Sequence, residues 1–111
     1  MDRIELGGRL CNWHTSMTDP IYAVGSFYVS NQRYPDQDIV EDCLENLERD
    51  INKFNKMLAG EKVSVYNNHY GKQILDLRAF AGYSDKELND YIFDIREIVI
   101  YLKIYLKQDY S

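Results

Sequence analysis

The sequence predicts an α+β domain, a small antiparallel sheet with two long amphipathic helices packed against each other, and three observations carry that expectation. Residues 38–58 and 84–107 repeat apolar side chains at alternating steps of three and four, the stripe of a helix that must bury one face. Gly7-Gly8 lies between two short stretches that can pair as a hairpin. Lys62-Val63-Ser64-Val65-Tyr66 alternates apolar and polar residues as a half-buried strand does. At 111 residues, the whole of 1–111 suits one domain with a core of its own.

Taken in order, Arg3 to Leu6 and Arg9 to Trp13 flank the glycine pair, which can adopt the positive φ values of a two-residue turn. In that register Ile4, Leu6, Cys11 and Trp13 share a face; a single bent strand with a glycine bulge is the alternative. Asn12 to Ser30 is ambiguous. Asp19-Pro20 reads as an N-cap followed by proline at the first helical position, with Ile21, Val24 and Tyr28 on one helical face, yet Ile, Tyr, Val and Phe also favour strands. The helix is the preferred reading. Ala23, Gly25 and Ser26 are small enough to admit another backbone or a ligand, and close packing is the simpler reason for them.

After the turn-like Asn31 to Pro35, Val40, Leu44, Leu47, Ile51, Phe54 and Leu58 form the seam of the first long helix, with Asp38 and Glu41 able to cap its start and Gly60 to stop it. Lys62 to Tyr66 follows as a strand, turning at Asn67-Asn68 or Gly71. Gln73 to Phe80 reads as the return strand, completing a sheet with the N-terminal hairpin, or as a short helix closed by Gly82. The last helix opens on the capping box Ser84-Asp85-Lys86-Glu87. Its seam is Leu88, Tyr91, Ile95, Ile98, Leu102 and Tyr105, widened by Ile92, Val99 and Leu106. From Val99 to Leu106 only Lys103 is charged, which predicts a homodimer or higher oligomer through this helix.

Composition excludes some functions. A formal charge of −5 argues against binding nucleic acid through its phosphates. Asp94, Arg96, Glu97 and Lys103 interrupt the only long apolar run, so no membrane span is expected, and MDRIELGG lacks the pattern of a signal peptide. Cys11 and Cys43 then read as reduced, packed thiols, and the protein as cytoplasmic, in the host cytoplasm if phage-encoded.

Chemistry-bearing motifs are few. Cys11-x-x-His14 lacks the second short-spaced pair that a structural zinc site uses, even with Cys43 and His69, so no metal or other cofactor is expected. Hydrolase, P-loop, dinucleotide and metalloprotease signatures are absent, and the reading is non-catalytic. Asp36, Asp38, Glu41, Asp42, Glu45, Glu48 and Asp50 cluster on and around one helix face, whose plain reading is a solvated surface.

The densest collection of recognition groups lies in 12–26. Trp13 and Tyr22 offer stacking faces, Asn12 and His14 directional hydrogen bonds, and Ser26 sits among small residues. Arg9, Arg33 and Arg78, with Lys72, are the candidate phosphate partners if the ligand is a nucleotide. Trp13 and Tyr22 as ordinary core aromatics is the alternative.

Asn12-Trp13-His14, then Pro20-Ile21-Tyr22-Ala23 with Ser26, then an acidic helix, resembles the start of small bacteriophage proteins with a W-H…L-Y-A…S pattern. The likeness covers about the first third of the chain. Size, acidity and α+β make-up are similar to those of phage counter-defence proteins, including the Thoeris anti-defence sponges. That resemblance implies a non-catalytic oligomer that sequesters a small nucleotide-like signal of the host, and it carries no site residue over. The alternative is an acidic inhibitor of the anti-CRISPR or anti-restriction type, whose 38–48 face imitates nucleic acid toward a basic host protein.

Overall fold

The computed structural model describes residues 1–13, 19–30, 35–67, 69, 71–75 and 82–110, and four helices dominate them. Helix α1 spans Arg3–Trp13, α2 Pro20–Ser30, α3 Gln37–Leu58 and α4 Asp85–Asp109. Strand β1, Val63–Asn67, pairs antiparallel with β2, Gly71–Leu75. The fold is therefore helical, and the expected α+β architecture is corrected. Among the described residues there is no sheet layer, because this two-stranded ribbon has no further strand to join.

The correction originates at the N-terminus, where a helix replaces the expected hairpin. Asp2 caps it: its carboxylate accepts the Glu5 N–H at 2.7 Å and its carbonyl the Leu6 N–H. Leu6 and Leu10, four apart on one helical face, are both fully buried, while Ile4 is exposed. Gly7 serves not a turn but a close approach. A Cβ on Gly7 would lie 2.7 Å from the Gly25 carbonyl oxygen and 2.8 Å from Tyr28 Cβ. One on Gly25 would lie 2.8 Å from both Gly7 O and Cys11 Sγ. Two glycines thus let α1 and α2 meet backbone to backbone, and the packing outweighs their poor helix propensity.

Helix α2 starts where Asp19-Pro20 predicts. Asp19 accepts the Ile21 N–H at 2.8 Å through its side chain and the Ala23 N–H through its carbonyl. Ile21, Val24 and Tyr28 are buried on the shared face. In α3, Asp36 holds the N-cap position in place of Asp38, without a side-chain cap bond. The C-terminus of α3 closes with Gly60 at φ +77°, its N–H on Met57 O and that of Glu61 on Lys56 O. The α4 capping box forms as the sequence requires, with Glu87 N–H on Ser84 Oγ and Ser84 N–H on Glu87 Oε1.

Each helix packs on the next, α3 against α4 along their matching seams, and α1 also reaches α4, so the four close around one core. Leu6, Leu10, Val24, Val40, Leu47, Ile95, Ile98 and Leu102 are completely buried in it. On α4 the apolar surplus is only partly covered. Val99 is buried and Tyr101, Tyr105 and Leu106 pack against the core, but Phe93, Ile100 and Ile104 remain 71%, 58% and 43% exposed. No described helix is long and apolar enough to cross a membrane.

Candidate functional site

Trp13 ends α1, and its ring is fixed from the other helices. The indole N–H donates to Asp94 Oδ2 on α4 at 2.7 Å. Tyr91 meets the ring edge-on with centroids 5.4 Å apart, and Phe54 of α3 lies at 6.3 Å. Asp94 also pairs with Arg9, which reaches Glu97 at 2.6 Å. Burial works against the Arg9 charge, but its hydrogen bonds to Glu97 and Asp94 outweigh this and hold the guanidinium more firmly protonated than usual. One arginine therefore ties α1 to α4 beside the tryptophan.

Beyond Trp13 the chain leaves a recess of about 310 Å³ where α1 ends, α2 begins and α3 passes. Trp13 and Ile21 supply its apolar lining and Asp19, the α2 N-cap, one carboxylate. The remaining groups come from α3: Asn46, Arg49, Asp50 and Lys53. Their spacing of three, four and seven puts them on one helical stripe. Burial raises the Asp50 carboxyl above the ordinary range; Lys53 opposes this, Asp19 adds to it and Arg49 opposes it. Asp50 is thus close enough to feel the other three charges. Arg49 also makes a long contact with Glu45, 3.6 Å, on a largely exposed side chain.

The sequence-derived candidates are scattered around this geometry. Trp13 lines the recess, whereas Arg9 is engaged by two carboxylates of α4. Asn12 and Ser26 are exposed, Tyr22 is half-buried, and none of the three lines the recess. His14, Arg33 and Arg78 lie outside the described residues, and Lys72 is a residue of β2. Of the small residues of α2, Gly25 is accounted for by its contact with α1. Sequence reading missed Asn46, Arg49, Asp50 and Lys53 as a unit. The available signal was their shared stripe, mixed in charge, beside the Leu47–Ile51–Phe54 seam.

Chemically, the recess combines an indole side chain, two carboxylates, two cations and an amide, groups able to pair with a small polar molecule. Cys43 is unsuited to nucleophilic work, since burial first and Asp19 second push its thiol up to about 12. Cys11 is raised by burial as well. No protein-family model matches the chain, and no curated protein or solved structure shows significant similarity to it.

Proposed function

We propose that this is a non-catalytic binding protein that sequesters a small nucleotide-like molecule in the Trp13 recess, acting in phage counter-defence within the host cytoplasm. The observation that carries this reading is the recess itself. An indole held by Asp94 lines it together with Arg49 and Lys53, the groups that a base and a phosphate would meet. The N-terminal resemblance supplies the biological setting. A homo-oligomer is part of the proposal, with a second copy covering Phe93, Ile100 and Ile104 on the outer face of α4, whose exposed apolar side chains support it.

To test it, the purified protein is incubated with a mixture of mono-, di- and cyclic nucleotides, freed of unbound material, denatured, and the released molecules identified by mass spectrometry. Recovery of an intact nucleotide is the expected result. An altered nucleotide would make the protein an enzyme, and recovery of none would remove the reading.

One observation favours a second reading. Asp36, Asp38, Glu41, Asp42, Glu45 and Glu48 are all exposed, and they give the first half of α3 a continuous acidic surface. An inhibitor of a basic host protein would use that surface, and its capture of such a protein would weaken steeply with salt.

A further inference from the structure

We infer that the recess discriminates between ring systems by the group at their edge, accepting those with an amino substituent, as in adenine and cytosine, over those with a carbonyl in its place. This rests on the nucleotide reading and narrows it. Asp19 and Asp50 both line the recess, and an ionised carboxylate can only accept hydrogen bonds. Asp19 already takes the Ile21 N–H on one oxygen, which anchors it in place at the start of α2. Asp50 has no such capping duty, is half-buried, and projects from the middle of a rigid helix. Burial is the chief reason that its proton affinity is raised, with Lys53 and Arg49 opposing the rise and Asp19 adding to it.

A ring amino group meeting such a carboxylate forms a charge-assisted hydrogen bond. A carbonyl at the same position sets acceptor against acceptor and leaves both short of a proton. Asn46 does not discriminate, because an amide can offer either its N–H or its oxygen. Arg49 and Lys53 likewise respond to the anionic group shared by all nucleotides. Selection therefore falls to the carboxylates, and of these to Asp50.

Two matched pairs replace the amino group by a carbonyl, the neighbouring ring nitrogen changing from acceptor to N–H with it: adenosine against inosine monophosphate, and cytidine against uridine monophosphate. Trp13 is the only tryptophan, so its fluorescence reports the recess directly, with calorimetry run in parallel. The amino member of each pair should bind at least roughly tenfold tighter. Asp50→Asn, which can turn a donor toward a carbonyl, should erase most of that preference while its melting curve shows it folded. Equal affinities within both pairs would overturn this inference and leave the nucleotide reading standing. Absence of binding by all four, in fluorescence and calorimetry alike, would overturn the reading and the inference together.

Discussion

Asp94 of α4 accepts the indole N–H of Trp13 at 2.7 Å, so the orientation of the aromatic wall is set by a helix that does not itself line the recess. Replacing it separates support from binding. Asp94→Ala leaves the indole donor and Arg9 short of a partner and should cost about 1–3 kcal/mol in urea unfolding. Asp94→Asn keeps an acceptor for the indole and should cost less. Trp13 emission in the alanine variant should shift to the red as the ring gains exposure to water.

The glycines of α1 and α2 give opposite outcomes under one substitution. Gly7→Ala and Gly25→Ala each drive a Cβ within 3 Å of the neighbouring backbone and should destabilise by roughly 1–3 kcal/mol. An alanine at Gly8 meets nothing within 4 Å and should stabilise by about 0.5–1 kcal/mol through helix propensity. Thermal melts of the three variants check both signs. A gain at Gly7 would mean that residues 3–13 do not pack as described.

The two long helices were legible in the sequence because their seams, the Ser84–Glu87 box and Gly60 all act locally. Helix α1 was not. Gly7-Gly8 satisfies a hairpin turn as readily as a close helix crossing, and only Gly25, eighteen positions away, decides between them. Asp2 and the Leu6–Leu10 spacing were the available local signals. For the site, Trp13 could be singled out by residue type, whereas Asn46, Arg49, Asp50 and Lys53 could not. A polar stripe on an amphipathic helix has the same pattern whether it faces bulk water or a concavity, and here the start of α2 makes the concavity.

Asp50 supplies a pH prediction. Its folded carboxyl lies above the ordinary value of 3.8, chiefly through burial, so the folded chain holds that proton more tightly than the unfolded chain. Stability from this group is present below the unfolded value and lost as pH rises through the folded one. Asp50→Asn should therefore melt higher than the parent at pH 7. The difference should shrink as pH falls through the aspartate range, and a constant offset at every pH would contradict it.

Oligomerisation is separable from folding. Ile100 is 58% exposed, so Ile100→Asp should change monomer stability by no more than about 0.5 kcal/mol while shifting light scattering toward the monomer. Leu102→Asp places a charge in the core and should unfold the chain. If the parent is already monomeric at high micromolar concentration, the second copy on α4 is ruled out.

Whether a nucleotide occupies the space beside Trp13 can be read by an NMR titration of labelled protein with adenosine monophosphate. The single indole N–H gives one unambiguous signal, and the α3 amides of Asn46, Arg49, Asp50 and Lys53 give four more. With a nucleotide bound there, the indole and these amides shift together, saturably, while those of Asp38 and Glu41 stay in place. Shifts confined to the acidic half of α3, or none at millimolar nucleotide, would contradict it.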